Sequence, residues 1–385
     1  MAHTSVSRHT DPIGTSRHRG VHSPKKMARL YASLLVLLCC MTACIATPPT
    51  TSKPTRTVQV AGTFKEYPLP QANSGLMRPA IDQHGRIWFG EMGQNYLASF
   101  DPGNQTFTQI TPPRGQAGIM GVIVAPDDTV WFAEQNADYI GHYDPKSKHF
   151  TTYALPQVTT PDPENKQQRL SLPSAPNELI IDQHGDIWFT EMNADALGKL
   201  QVKTGAITQY PLSSPPTVQK LSPYGITADM QGNIWFTESG ESTIGCLTVS
   251  NGKIHFYSLP QTLHSTDISL MEIIHDSTGM LWITTFNTPN IFRFDPQSTT
   301  FSEYQAPIQG QGINGIYGII AAANNTLWLT VAASNAITRF DTTTKTFTNY
   351  TIPASRCTPL GIVIAPDHTL WFTEATSDQI GMLKA

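Results

Sequence analysis

Seven tryptophans at nearly regular intervals constrain the fold more than any other feature of this chain. Consecutive members lie 43 to 57 residues apart, and they are Trp88, Trp131, Trp188, Trp235, Trp282, Trp328 and Trp371. Each lies in a similar short phrase, of which residues 185–191 (Gly-Asp-Ile-Trp-Phe-Thr-Glu) and residues 232–238 (Gly-Asn-Ile-Trp-Phe-Thr-Glu) are the clearest copies. Repeats of this length are typical of solenoids and propellers.

Each repeat contains four short strand-like runs. An apolar run and a turn precede the tryptophan phrase, an Ile-Gly pair or a relative follows it, and an aromatic run closes the unit, often with Leu-Pro. Four strands in about 47 residues correspond to one propeller blade. We therefore predict an all-β, seven-bladed β-propeller of four-stranded blades over residues 63–385. A solenoid is the alternative, but it would need capping repeats that the sequence does not show.

The two ends of the repeat region predict how the ring closes. Residues 63–70 form a lone fourth-strand phrase, and residues 379–383 form a third-strand phrase at the end of the chain. Pairing these two segments would complete the seventh blade and remove an open edge.

The N-terminal segment predicts export. A basic stretch, an apolar run at 30–40 and Thr-Ala-Cys at 42–44 follow in the order of a secretory signal. The last tripeptide resembles a bacterial lipobox, so we expect a signal peptide over 1–43, lipidation of Cys44 and a cell-surface or periplasmic location. Ordinary secretion without lipidation is the alternative. Residues 44–62 predict a disordered tether, and Cys246 and Cys357 are expected to be free thiols.

The charge balance argues against a nucleic-acid ligand. The formal net charge of the chain is -4, and the signal region holds six of its 25 basic residues but only one of its 29 acids. The rest is clearly acidic, whereas nucleic-acid binders usually present a basic face. We expect a monomer whose partner is a small cyclic peptide or lactone, or a cell-surface ligand, and whose only membrane contact is its lipid anchor.

A site is expected where the first strand of each blade begins, beside the central channel. The positions eleven residues before each tryptophan include Asn177, Tyr224 and Tyr317, and four of the positions ten residues before it are glycine. Arg78, Glu178 and Glu272 replace glycine in the other three blades. Charges at a crowded axis are costly unless they are paired or used. A salt-bridged cluster and a ligand site both fit this pattern, and we take these six residues as the candidate binding site.

Further titratable groups recur near the same rim. The third position after tryptophan is acidic in five repeats, and it includes Glu374. These acids could bind a cation, although repetition favours a structural role for most. His264 in a long loop and His275, three residues after Glu272, are candidate general bases, with packed or solvated histidines as the alternative. An insertion at 158–169 predicts either a partial lid or a plain surface loop.

The repeat resembles that of the streptogramin B lyases, also called virginiamycin B lyases. The resemblance lies in Ile-Trp-Phe-Thr-Glu, the following Ile-Gly and the Tyr-x-Leu-Pro ending, and it is strongest over residues 223–245. It implies a seven-bladed propeller that opens a cyclic depsipeptide at its ester by magnesium-dependent elimination. The family's general-base histidine lies in a Glu-Pro-His-Gly phrase before the last tryptophan. Here that phrase is Thr358-Pro359-Leu360-Gly361, and leucine cannot accept a proton.

Three functions follow as hypotheses. The first is a lyase with a relocated base, His264 or His275, and with Glu272 or Glu374 holding magnesium; Glu374 lies near the place of a family acid on the metal side. The second is a non-catalytic propeller that binds a peptide, glycan or protein on the same rim. The third is a metal-dependent lactone hydrolase that uses Asn177, Glu178 and Glu272.

Overall fold

A computed structural model describes residues 57–161, 169–212, 221–260, 268–307 and 315–385. The predicted signal peptide (1–43), the lipidation site Cys44 and the candidate base His264 lie outside these residues. So does most of the predicted tether.

The described residues form seven four-stranded antiparallel sheets, each with a tryptophan on its second strand, as predicted. Blade one contains β3 (Leu76–Ile81), β4 (Ile87–Glu91), β5 (Tyr96–Asp101) and β6 (Thr106–Ile110). Blade two contains β7 (Ile119–Val124), β8 (Val130–Glu134), β9 (Tyr139–Asp144) and β10 (His149–Ala154). Blade three contains β13 (Pro176–Ile181), β14 (Ile187–Glu191), β15 (Ala196–Gln201) and β16 (Ala206–Pro211).

Blades four to seven follow the same order. Blade four contains β17 (Pro223–Ala228), β18 (Ile234–Glu238), β19 (Thr243–Thr248) and β20 (Lys253–Ser258). Blade five contains β21 (Leu270–His275), β22 (Leu281–Thr285), β23 (Asn290–Asp295) and β24 (Thr300–Gln305). Blade six contains β25 (Ile316–Ala322), β26 (Thr326–Val331), a 3-10 turn (Ala332–Ser334), β27 (Ala336–Asp341) and β28 (Thr346–Thr351). Blade seven contains β29 (Pro359–Ile364), β30 (Leu370–Glu374) and β31 (Gln379–Lys384) from the C-terminus and β2 (Thr63–Pro68) from the N-terminal side.

The ring closes as predicted. Strand β2 runs antiparallel to β31, and the register sets Thr63 opposite Lys384 and Pro68 opposite Gln379. The backbone N–H of Leu69 then donates to the carbonyl of Asp378 at 2.9 Å. The last blade therefore holds strands from both ends of the repeat region, which fixes the ring by backbone hydrogen bonds.

Two further pairings lie outside the seven four-stranded blades. Strand β1 (Thr57–Gln59) runs parallel to β28 on the outer edge of blade six, so the expectation of a disordered tether does not hold for these three residues. Backbone hydrogen bonding continues at Val60, whose N–H donates to the carbonyl of Asn349. Strands β11 (Val158–Pro161) and β12 (Arg169–Leu172) pair antiparallel, β11 within the predicted insertion at 158–169 and β12 from its last residue onward.

The hydrophobic core lies between neighbouring blades. One cluster joins Phe89 and Phe100 of blade one to Trp371 and Met382 of blade seven, and comparable clusters join the other neighbours. In blades one, three, four and five the indole N–H also donates to an aspartate six residues earlier, at 2.8 to 2.9 Å. Large buried aromatic side chains thus supply the stabilisation that a lone blade could not provide. Cys246 and Cys357 are free and buried, as predicted.

Candidate functional site

A β-bulge at the start of each first strand places the candidate residues. In β17 and β18, for example, Tyr224 and Gly225 of the first strand both oppose Thr237 of the second. The register shifts in the same way in all seven blades. The two positions in each bulge are the eleventh and tenth residues before tryptophan, at which the sequence predicts the site. Bulges commonly change the direction of side chains beside functional sites.

A threonine hydroxyl supports five of the seven bulges and links neighbouring blades. Thr190 Oγ1 accepts a hydrogen bond from the N–H of Glu178 at 3.2 Å and donates one to the carbonyl of Tyr224 in the next blade at 2.8 Å. The equivalent residues are Thr237, Thr284, Thr330 and Thr373. This threonine recurs two residues after tryptophan in the sequence. Its role was not predicted, because the carbonyl that it binds belongs to the next blade.

Glycines leave room for the three charged residues. A Cβ on Gly361 would lie 2.8 Å from the Cα of Arg78, one on Gly225 would lie 3.0 Å from that of Glu272, and one on Gly121 would lie 3.2 Å from that of Glu178. Real side chains rarely tolerate such contacts with backbone. The sequence-based explanation for these glycines, lack of space near the axis, is therefore confirmed at these three positions.

Arg78, Glu178 and Glu272 converge on the axis from blades one, three and five. Arg78 Nε donates to Glu272 Oε1 at 2.6 Å, and it lies 3.5 Å from Glu178 Oε1. Arg78 Nη2 also lies 2.6 Å from Glu272 Oε1, but without the alignment of a hydrogen bond, and Nη1 has no partner among the described residues. Glu178 Oε2 accepts from the N–H of Ile226 at 3.1 Å. We call these three residues the axial triad.

Burial and ion pairing act in opposite directions on the groups of the axial triad. Burial, the largest effect, raises the pKa of Glu178 well above its usual range; Arg78 opposes this, and Glu272 adds to it as a like charge and a hydrogen-bond partner. Burial lowers the pKa of Arg78, but the two glutamates outweigh it, so its pKa is raised overall and it stays charged. Arg78 therefore lies as a cation between the carboxyl groups of Glu178 and Glu272.

The candidate residues next to the triad are packed against it or against each other. The hydroxyls of Tyr224 and Tyr317 lie 2.5 Å apart, and the Arg78 guanidinium carbon lies 4.9 Å and 5.6 Å from their ring centres. Burial raises the pKa of both phenols, so both remain neutral donors at physiological pH. Asn177 Nδ2 donates to the carbonyl of Tyr224 at 3.1 Å, and its Oδ1 accepts from Gln135 at 3.4 Å.

The axis is closed on one side of the triad and hollow on the other. We name the side where the first strands begin (Leu76, Ile119, Pro176, Pro223, Leu270, Ile316 and Pro359) the entry rim. All seven residues at the eleventh position before tryptophan are buried there: Met77, Met120, Asn177, Tyr224, Met271, Tyr317 and Leu360. We name the opposite side, formed by the turns at 82–86, 125–129, 182–186, 229–233, 276–280, 323–325 and 365–369, the turn rim. A cavity of about 350 Å³ lies on that side of the triad.

Glu374 lies apart from the axial triad. It is fully buried at the end of β30, where Ser377 Oγ donates to its Oε2 at 2.8 Å and a Cβ on Gly381 would lie 2.7 Å from its Oε1. Burial raises its pKa to about 7. The same effect acts on the equivalent acids of other blades, and it raises the pKa of Glu134 and Glu191 to about 7. These glutamates are buried side chains of the blades, in line with the structural alternative.

His275 is the candidate base that the described residues include, and it lies away from the axial triad. His275 ends β21 at the turn rim, three residues or about 10 Å along the strand from Glu272, and its Nδ1 lies 3.3 Å from the carbonyl of Asp276. Leu360, in the place of the family histidine, is buried on β29, and its carbonyl accepts from Thr330.

Glu272 and Glu374, the two alternative residues predicted to hold magnesium, lie in different surroundings. Glu272 is occupied by Arg78, whereas Glu374 is paired with Ser377 in blade seven. No group of three His, Cys, Asp or Glu side chains within the described ranges could hold a metal ion. Asn177 bonds to Gln135 and Tyr224, so the hydrolase set of Asn177, Glu178 and Glu272 is not assembled around one point. Magnesium binding stays a prediction.

Comparison with known proteins identifies the family. The model of the virginiamycin B lyase family matches residues 157–267 and 218–385, which together exceed half of the chain. The chain belongs to the virginiamycin B lyase family. Its fold resembles a solved streptogramin B lyase with a TM-score of 0.71 and 28% sequence identity, covering 84% of this chain and 97% of that chain.

Two structures of Staphylococcus aureus virginiamycin B lyase resemble the chain to the same degree. The selenomethionine-substituted enzyme and a catalytically inactive histidine-to-alanine variant with quinupristin both give a TM-score of 0.71 and 26% identity, over 84% of this chain and 99% of theirs. No curated protein sequence matches the chain. Among the described residues no helix has the length and apolar character needed to span a membrane.

Proposed function

We propose that this chain is a binding propeller of the virginiamycin B lyase family that holds a compact cyclic peptide or lactone at the entry rim without eliminating its ester. The observation that carries the proposal is Leu360, an aliphatic residue where the family phrase has its general base. Abstraction of an α-proton needs a group that can accept it within hydrogen-bond reach. A leucine side chain has no such atom.

The state of the nearby carboxylates supports the same proposal. Glu272 is ion-paired with Arg78 at 2.6 Å, and Glu178 is held by Arg78 and by the N–H of Ile226. An occupied carboxylate is a poor substitute for a free base, because proton transfer to it would require breaking the ion pair. The proposed ligand, a compact cyclic peptide or lactone, is taken from the family and from the structure of the inactive relative with quinupristin.

A lyase with a relocated base is the second candidate, and family membership favours it. In that case His264, outside the described residues, would take the proton, and magnesium would polarise the ester. Replacement of His264 by Ala would abolish turnover in this candidate and leave ligand binding unchanged in the first.

Calorimetric titration with quinupristin tests the proposal. Phe286 is partly exposed just after β22 at the entry rim, and Met230 is exposed at the turn rim. We expect saturable binding to the wild-type chain, about tenfold weaker binding to Phe286→Ala, because aromatic anchors dominate such contacts, and no change in Met230→Ala. Absence of saturable binding, or an equal loss in both variants, would refute a site at the entry rim.

We also propose that the chain is exported and anchored through Cys44, on the basis of the basic, apolar and Thr-Ala-Cys order at residues 17–44. Metabolic labelling with an alkyne fatty acid should mark the wild-type chain in a bacterial host and not Cys44→Ser. Equal labelling of the two would refute the anchor.

A further inference from the structure

The short segment at residues 352–358 leads into the place where the family carries its general-base phrase. It follows β28 and reaches β29 at the entry rim. Arg356 is exposed on this segment and Thr358 is partly exposed, whereas Cys357 between them is fully buried. The conformation of the segment therefore determines what the entry rim presents beside Leu360.

Two residues of this segment adopt a left-handed backbone conformation. The φ angle is +57° at Arg356 and +50° at Thr358. The equivalent of Thr358 in blades one and two is glycine, Gly75 and Gly118, which adopts positive φ without steric cost. For a β-branched residue such as threonine the same conformation is uncommon and costly. It persists only where surrounding contacts hold it.

Asn335 supplies three of these contacts. It ends the 3-10 turn of blade six, seven residues after Trp328. Its Nδ2 donates to the carbonyls of Ile352 at 3.1 Å and Ala354 at 2.5 Å. Its Oδ1 accepts from the N–H of Cys357 at 2.9 Å, and the thiol of Cys357 lies 3.1 Å from the same oxygen. One side chain therefore holds both ends of the segment.

The position seven residues after tryptophan has the same role in other blades. Its side chain accepts a backbone N–H from the segment that enters the next blade at Asn95, Asp138, Asp195, Ser242 and Asp378. In blade five the position is Pro289, which has no side-chain acceptor. Asn335 differs from the other members because its segment leads to the place of the family phrase.

Contacts from blade seven hold the other side of the same segment. The N–H of Ala354 donates to Glu66 Oε1 on β2 at 2.9 Å, and the N–H of Ala375 donates to the carbonyl of Thr358 at 3.1 Å. Asn335 belongs to blade six, so the segment is fixed across the boundary between two blades. A strained backbone that is held from both sides is preorganised for binding.

We propose that Asn335 is a positioning residue for the entry-rim ligand site, which holds residues 352–358 in the conformation that fixes where Thr358 and Leu360 meet a ligand. The inference rests on the proposed binding of a compact cyclic peptide or lactone at this rim. Preordering of a binding segment raises affinity because less conformational freedom is lost on association. Removal of the Asn335 side chain should therefore weaken binding by releasing the segment.

Thiol reactivity tests whether Asn335 holds the segment. If the three cysteines within residues 39–44 are replaced by serine in the full-length chain, the remaining thiols are Cys246 and Cys357, both buried. We expect N-ethylmaleimide to modify Cys357 about tenfold faster in Asn335→Ala, because the released segment opens more often. Cys246, in blade four, should react at an unchanged rate. Mass spectrometry of peptides measures both rates, and an unchanged rate at Cys357 would refute the holding role.

Calorimetric titration with quinupristin tests whether the held segment matters for the ligand. Asn335→Ala should raise the dissociation constant about tenfold. Asp229→Ala is the matched control, because Asp229 accepts from the N–H groups of Gln231 and Asn233 and from the indole of Trp235 at the turn rim. Its loss should lower stability and leave the dissociation constant unchanged.

A milder variant replaces Asn335→Ala if that variant fails to fold. Ser242 accepts the equivalent N–H, that of Ile268, at 2.8 Å in blade four, so Asn335→Ser should keep part of the contact and weaken quinupristin about threefold. Wild-type affinity in a folded Asn335 variant, or an equal loss in Asp229→Ala, would overturn the positioning role alone. Absence of quinupristin binding to the wild-type chain would overturn the proposed function and this inference with it.

Discussion

Thr373 of blade seven donates its hydroxyl hydrogen to the carbonyl of Met77 in blade one at 2.8 Å. The same oxygen accepts from the N–H of Gly361 at 3.0 Å, so one side chain satisfies a bulge and joins the last blade to the first. Both partners are buried. This contact adds a side-chain link to the ring closure that β2 and β31 provide through their backbones.

Replacement of Thr373 by Val should destabilise the fold by about 1–3 kcal/mol, because it leaves a buried N–H and a buried carbonyl without their partner while keeping the volume. Urea unfolding followed by tryptophan fluorescence measures this change. Thr208→Val, at an exposed position of β16, is the matched control and should change stability by less than about 0.5 kcal/mol. Equal effects of the two substitutions would contradict a closing role for Thr373.

The stability of the fold should respond very differently to removal of Arg78 alone and to removal of all three ionisable groups of the axial triad. Arg78→Met leaves two buried carboxyl groups without their cation, and it should cost about 3–5 kcal/mol. The triple variant Arg78→Met, Glu178→Gln, Glu272→Gln removes all charge and should recover most of that loss. Chemical denaturation of the wild type and both variants measures this coupling. If the triple variant is as unstable as Arg78→Met, the loss of stability in Arg78→Met does not come from carboxyl groups left without their cation.

The glycines next to the triad should be intolerant of even one methyl group. Gly361→Ala would bring a Cβ to 2.8 Å from the Cα of Arg78, and we expect a loss of about 1–3 kcal/mol from this overpacking. A Cβ on Gly115 would meet no atom of the described residues within 4 Å, so Gly115→Ala serves as the control. Thermal unfolding should separate the two variants by several degrees, and overlapping melting curves would refute the packing argument.

Stability should fall as pH rises from about 5 to 8. Burial raises the pKa of Glu134, Glu191 and Glu374 to about 7, so the folded chain holds protons that the unfolded chain, with pKa values near 4.5, releases. This contribution is complete below pH 4.5 and is lost as pH passes through 7. The urea midpoint should therefore be higher at pH 5 than at pH 8.

A neutral substitution identifies the groups responsible for this pH dependence. Glu134 has no hydrogen-bond partner for either carboxylate oxygen among the described residues, so Glu134→Gln should flatten the profile. Glu241→Gln, at a partly exposed turn, should leave it unchanged. A midpoint that rises with pH in the wild type would contradict the sign of the effect.

The blades were predictable from the sequence because each carries its own local pattern. The phrase around Trp235 contains the turn, the apolar second strand and the following Gly245, whose missing Cβ makes room for the Phe236 ring on the facing strand. Closure was predictable because a fourth-strand phrase stands alone at 63–70. The short strand β1 was not, since Thr57–Gln59 pairs with the distant β28 and has no repeat pattern of its own.

The site was only partly predictable, for physical reasons. The tenth position before each tryptophan indicated that Arg78, Glu178 and Glu272 would approach one another, but their pairing depends on distances across the ring between blades one, three and five. For Glu374 the sequence left a structural and a metal-binding role open, because the contact of its carboxylate with Gly381 crosses between two strands and is not visible from position along the chain.

Restoration of the family phrase offers a gain-of-function prediction. Thr358→Glu with Leu360→His recreates Glu-Pro-His-Gly at residues 358–361, and it would supply a group able to accept a proton. We expect this variant to acquire measurable ring opening of a streptogramin B, whereas Leu360→Gln, polar but without basicity, should not. Equal activity of the two variants would show that ring opening does not depend on the restored histidine.

Mass spectrometry of quinupristin after incubation with the wild-type chain and Mg²⁺ tests the central claim most directly. Elimination yields a linear isomer of unchanged mass but different retention, and hydrolysis adds one water. With Leu360 in place of a base, we predict that the cyclic compound is recovered intact, with the same result in the presence of EDTA. Accumulation of the linear isomer over many turnovers would contradict the account.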